Sequence, residues 1–273
     1  MLPSFLLALR EGLEAALIIG IVLGALRKFN RGDLDRLVWG GAASAVALSV
    51  VVAFALQTVG ASLEGAAEQI FEGLTMLLAA GVLTWMIFWM QRQARNIKGD
   101  LEADVHQATL STSGKALFSL AFLAVLREGV ELALFLTAAG LAAGARQTLA
   151  GGLLGLGAAA VLGWLIFSTT VRLNLRNFFQ VTSVLLLLFA AGLVAHGVHE
   201  FNEVGWIPAI VEPLWDTNPI LDENSITGSL LKALFGYNGD PSLTEVLAYL
   251  AFLAGIFLGL RRSATPAPAA QEA

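Results

Sequence analysis

Leu9-Arg10-Glu11-Gly12-Leu13-Glu14 sits inside an otherwise apolar run over residues 2–26 and returns 117 positions later as Leu126-Arg127-Glu128-Gly129-Val130-Glu131. A helix needs about 20 mostly apolar residues to cross the ~30 Å hydrocarbon core of a bilayer. Working outward with a window of about 19 residues, similar runs fall near 37–59, 68–90, 116–143, 149–170, 178–200 and 243–260. The expected fold is an all-α polytopic membrane protein with seven transmembrane helices. Composition agrees: 57% of the 273 residues are hydrophobic and 14% charged, where a soluble domain carries about 25% charged residues. Mean hydropathy is +0.75.

The first run is not read as a secretory signal, because such a signal has a short uncharged core and a basic start. It is read as a retained first helix. The tail, residues 263–273, is rich in Ala and Pro and is expected to be disordered. Residues 1–262 then form a single transmembrane domain. A net charge of −5 without a basic patch gives no footprint for nucleic acid. The absence of cysteine excludes disulfides and thiolate ligands, which disfavours soft-metal chemistry.

Orientation follows from the basic residues. Arg27, Lys28, Arg31, Arg36, Arg92, Arg95, Lys98, Lys115, Arg172, Arg176, Arg261 and Arg262 lie in the first, third and fifth connections and the tail, whereas the other connections hold only Arg146 and Lys232. Positive charge stays on the cytoplasmic side, so the N-terminus is expected outside and the C-terminus inside.

The recurring motif also implies an internal repeat, residues 1–90 and 116–203, with 243–260 as a final helix. A weaker echo pairs Leu78-Ala79-Ala80-Gly81 with Phe189-Ala190-Ala191-Gly192. Three spans per repeat turn the second copy upside down, a plan that places transporter sites near the midplane. At 1.5 Å per residue, Glu11 lies roughly 14 Å and Glu128 roughly 18 Å into their helices from opposite faces. An ionised side chain at that depth costs at least about 2.5–3.5 kcal/mol. Glu11 and Glu14, three apart, share a helix face, as do Glu128 and Glu131. Arg10 with Glu14, and Arg127 with Glu131, are four apart and can close ion pairs. Such a clamp leaves Glu11 and Glu128 without partners. Facing one another, the four carboxylates would surround one volume suited to a hard cation or iron.

These motifs, with Phe71-Glu72-Gly73, Leu83-Thr84-Trp85-Met86 and Phe235-Gly236-Tyr237, resemble the oxidase-dependent iron transporters, the high-affinity iron permeases of fungi and their bacterial relatives. The resemblance covers nearly the whole chain. It implies seven spans with the N-terminus outside, iron as transported substrate, and Glu11, Glu14, Glu128 and Glu131 as its ligands. It also implies an oxidising or iron-binding partner outside the cell and location in the cytoplasmic membrane. No bound cofactor is expected, oligomerisation stays open, and spacing alone does not select iron over manganese or lead.

A second cluster falls at the expected outer mouth: Glu64, Glu68 and Glu72 at the start of the third span, and His196, His199, Glu200 and Glu203 at the end of the sixth. His and Glu three or four apart can chelate a transition metal from one helix. The cluster is read as a capture site feeding the midplane, although Glu64 and Glu203 equally suit a wet helix end. His106 and the acidic segment 201–242 are read as plain surface, and Trp85, Trp89, Trp206 and Trp215 as interface anchors. Two other classes remain open. One is a membrane oxidoreductase holding metal or haem, which His196 and His199, on one helix, cannot ligate from opposite faces. The other is a sensor that binds metal without conducting it.

Overall fold

The computed structural model describes residues 1–93, 105, 115–168, 175–223 and 225–264. The elements are α1 (Leu2–Lys28), α2 (Asp35–Ala61), α3 (Ala66–Gln93), α4 (Lys115–Ala143), α5 (Ala145–Ser168), α6 (Leu175–Glu203), a short α7 (Ile226–Phe235) and α8 (Leu243–Ala264). There is no strand among the described residues. His106 and most of the tail lie outside them.

α2, α3, α5, α6 and α8 are each long and apolar enough to cross a membrane. α1 and α4, with 27 and 29 residues, are as long and carry the two charged motifs. Phe54 on α2 and Leu153 and Trp164 on α5 are 69%, 71% and 67% exposed. Water would penalise such apolar faces, and lipid tails would not. The chain is a multi-pass membrane protein.

Helix ends follow local chemistry. Pro3 occupies the first turn of α1, where its missing amide costs nothing, and Arg27 and Lys28 close the last turn. The connection expected over residues 144–148 shrinks to Gly144. At φ 90° its amide closes on the Gly140 carbonyl at 2.8 Å, a backbone shape that glycine alone adopts easily.

Small residues bring the long helices together. α1 runs beside α5 and α2 beside α4. A Cβ on Gly151 would stand 2.3 Å from the Met1 carbonyl oxygen, and one on Gly41 2.5 Å from that of Phe118. α3 and α6 cross where Gly73 and Gly197 would each place a Cβ 3.1 Å from the other's carbonyl oxygen. Ala79, Ala80 and Leu83 of α3 pack there with Phe135 of α4 and Leu186, Ala190 and Leu193 of α6, all buried. Close backbone approach of this kind drives helix association where lipid removes the hydrophobic incentive.

The segment read as plain outer surface is more than that. Ser225 caps α7, accepting from the Gly228 amide at 3.0 Å, and Gly236 ends it at φ 67°. The Gly236 Cα lies 2.6 Å from where a Cβ on Gly192 would stand, so α7 ends against the middle of α6. The Ser242 and Thr244 hydroxyls meet the Asn202 amide at 2.7 and 3.0 Å. Gly192 is ten residues before Asn202, or about 15 Å along α6. α7 therefore descends beside α6 and the chain climbs back to begin α8. The periodicity of ten residues inside a polar stretch is too short to show this from sequence.

Candidate metal centre

The two charged motifs meet. α1 and α4 are in contact, and Glu11, Glu128 and Glu131 present carboxylate oxygens within 4.8 Å of one another. These residues are 1%, 5% and 9% exposed. Among the described residues, neither oxygen of Glu11 has a hydrogen-bond partner, nor has Oε2 of Glu128 or Glu131. Several buried, unpaired carboxylate oxygens in one volume repel one another and forgo water, a cost of several kcal/mol per ion. A cation or protons must compensate them.

The fourth glutamate stands beside the trio. Glu14 accepts from Arg10 Nε at 3.1 Å and lies within electrostatic reach of Glu131 and Arg127. Arg10 is fully buried, and its Nη2 lies 3.4 Å from Met90 Sδ on α3. On α4, Arg127 Nε donates to Glu131 Oε1 at 2.9 Å and stands 4.0 Å from Glu128 Oε1. The Arg127 guanidinium lies 4.5 Å from the Trp89 ring centre and 5.9 Å from that of Trp85. Both ion pairs expected from the i, i+4 spacing are formed, and α3 supports both arginines.

The motif glycines explain how α1 and α4 are held in place. A Cβ on Gly12 would come within 2.7 Å of Ala159 Cβ on α5, and one on Gly129 within 2.1 Å of Ser49 Oγ on α2. Each glycine thus lets a neighbouring helix press against the back of its own carboxylate helix.

At the other cluster the side chains spread more widely. Glu64, Glu68 and Glu203 are exposed, while Glu72, His196, His199 and Glu200 are partly buried. Glu72 lies within electrostatic reach of Glu200 and Glu68. Glu203 accepts from Gln69 of α3 and faces His199 Nε2 at 3.5 Å. His196 Nδ1 donates to the Gly192 carbonyl, one turn back on its own helix, at 3.0 Å. Among the described residues, only the Glu11, Glu128 and Glu131 set brings three potential metal ligands within 4.8 Å.

The sequence profile of the Iron permease FTR1 family matches residues 1–261. The chain belongs to that family. It is 36% identical over 255 residues to the ferrous iron permease EfeU of Escherichia coli O6:K15:H31 (strain 536 / UPEC), covering 93% of this chain and 92% of the relative. The EfeU of Escherichia coli strain K12, whose name carries the qualifier inactive, is 37% identical with the same coverage. The ferrous iron permease EfeU of Yersinia pestis is 33% identical over 93% of this chain and 90% of its own length. No solved structure matches the chain.

Two residues of this iron permease family member touch the clusters in ways their sequence positions do not announce. Trp89 carries Arg127 rather than serving only as an interface anchor. Glu245, the third residue of α8, accepts from His199 Nδ1 at 3.1 Å across 46 residues of sequence. Its Ser242-x-x-Glu245 pattern announces a helix cap and conceals the second contact.

Proposed function

We propose that this protein carries ferrous iron across the cytoplasmic membrane, binding it between α1 and α4 at Glu11, Glu128 and Glu131 with Glu14 beside them. The carrying observation is the convergence of three buried carboxylates whose outer oxygens have no partner among the described residues. A divalent cation neutralises two of their charges, and carboxylate oxygens suit a harder metal. Arg10 and Arg127 lower the remaining negative charge, so the site holds iron without trapping it. The relatives' names supply the cargo and its oxidation state.

In this reading the two halves are inverted repeats. Support comes from contacts that exchange under one pair of shifts. Moving α1 to α4 by 117 positions and α5 to α2 by 110 carries Gly12 against Ala159 onto Gly129 against Ser49. The same two shifts carry Met1 against Gly151 onto Phe118 against Gly41. Rocking of one half against the other would expose the midplane glutamates to each side in turn. The basic residues put the N-terminus outside, so Glu68, Glu72, His199, Glu200 and Glu203 meet iron first.

The test is uptake of labelled ferrous iron into proteoliposomes. Glu11→Gln and Glu128→Gln, confirmed folded by thermal melting, should each abolish uptake that the unmodified protein shows. Full uptake by both variants would remove the midplane carboxylates from the mechanism.

A further inference from the structure

We infer that Glu245 of α8 is the positioning residue that aims His199 at a metal ion in the outer cluster, an inference that rests on the capture-site reading above. Glu245 is 2% exposed. Its Oε1 lies 3.1 Å from His199 Nδ1 and accepts from the Ser242 amide at 3.0 Å, while Oε2 accepts from Asn238 Nδ2 at 2.9 Å. A carboxylate only accepts, so His199 Nδ1 carries a proton. Nε2 faces a second carboxylate, Glu203 Oε1, at 3.5 Å, so the metal-free ring holds a proton there too, and that proton is the one a metal ion replaces.

That pair needs little adjustment to hold a metal. Transition-metal ligand atoms lie about 2.0–2.2 Å from the ion, so two neighbouring ligands stand roughly 3 Å apart. A carboxylate behind the ring fixes the tautomer, orients the imidazole and raises its basicity. His196 Nδ1 donates instead to the Gly192 carbonyl of its own helix, which fixes the ring without a carboxylate's charge. Glu245 also closes a capping box, because the Ser242 hydroxyl accepts from the Glu245 amide at 3.2 Å. A residue needed only for that cap would use the box alone. The contact to His199, from another helix, is the additional feature.

Three histidines in the chain make nitrogen-15 histidine spectra of the detergent-solubilised protein readable. The probe is Zn2+, on a Glu11→Gln/Glu128→Gln background that silences the midplane. Without metal both His199 ring nitrogens should carry protons, and Zn2+ should displace the one on Nε2, shift that resonance and leave Nδ1–H in place. Glu245→Gln should mix the ring nitrogens that Zn2+ takes and weaken Zn2+ binding about 10–100-fold, while Ser242→Ala, which removes the hydroxyl from the cap and from Asn202 but keeps the Ser242 amide on Glu245 Oε1, should keep both properties. Zn2+ bound through Nδ1, with the proton left on Nε2, would overturn the proposal before any Glu245 variant is made. So would equal losses from Ser242→Ala and Glu245→Gln. If His199→Gln weakens Zn2+ binding and Glu245→Gln does not, the positioning role alone falls. If His199→Gln has no effect, the capture site falls and takes this role with it.

Discussion

Arg127 holds its guanidinium 4.5 Å from the ring centre of Trp89 while its Nε donates to Glu131 at 2.9 Å. α3 thereby contributes to the metal centre without supplying a carboxylate. Trp85 stacks on Trp89 with ring centres 6.4 Å apart, extending the platform. A cation over an aromatic face is worth about 0.5–2 kcal/mol, depending on desolvation. Trp89→Leu should therefore cost about that much stability by thermal melting in detergent and should also lower iron uptake, because Arg127 can swing away from Glu131. Trp89→Phe should recover part of both. Uptake unchanged in Trp89→Leu would show that the platform does not serve the site.

The two arginines are not equivalent, although their motifs match. Arg10 is fully buried, whereas the Arg127 side chain is 35% exposed. Removing one partner of a buried pair costs about 3–5 kcal/mol because the other charge is stranded. Arg10→Leu should destabilise more than Arg127→Leu, which water can partly compensate. Arg10→Leu/Glu14→Leu should be more stable than Arg10→Leu alone, since the Glu14 charge is then no longer stranded. A thermal-melting cycle in which the double variant is the worst would contradict this account of the clamp.

The sequence disclosed what depends on local spacing and on charge in apolar surroundings. The seven long helices, both Arg–Glu pairs and the stranded Glu11 and Glu128 all follow from periodicity of 3.6 and the cost of buried charge. Contacts between distant segments left weaker marks. Gly12 and Gly129 signal close approach, but only the fold names Ala159 and Ser49 as what they admit. α7 is ten residues long and begins among polar residues, so its descent beside α6 is visible only through Gly236 and Gly192. Glu245 reads as a cap because its bond to His199 spans 46 positions.

The glycines of the motifs give a sharper test of packing. Gly129→Ala would set a Cβ 2.1 Å from Ser49 Oγ, and Gly12→Ala one 2.7 Å from Ala159 Cβ. Overpacking of this order costs about 1–3 kcal/mol. Each single variant should melt earlier, and Ser49→Gly or Ala159→Gly should rescue its own partner and not the other. Cross-rescue, or no rescue, would mean that α2 does not lie behind Gly129 and α5 does not lie behind Gly12.

Because the chain has no cysteine, single introduced thiols can report its orientation. Arg36, at the start of α2, and Asp240, in the climb between α7 and α8, are both exposed. The distribution of basic residues puts Arg36 on the cytoplasmic side and Asp240 on the outer side. In intact cells a membrane-impermeant maleimide should label Asp240→Cys and spare Arg36→Cys, and permeabilised cells should show both. Phe235→Cys adds depth to the same experiment. It ends α7, ten residues below the Asn202 level by the path along α6, so it should react more slowly than Asp240→Cys from outside. Reversed labelling of Arg36 and Asp240 would turn the protein over and put His199 and Glu203 at the exit rather than the entrance. Fast labelling of Phe235→Cys would mean instead that α7 lies open to water above the bundle.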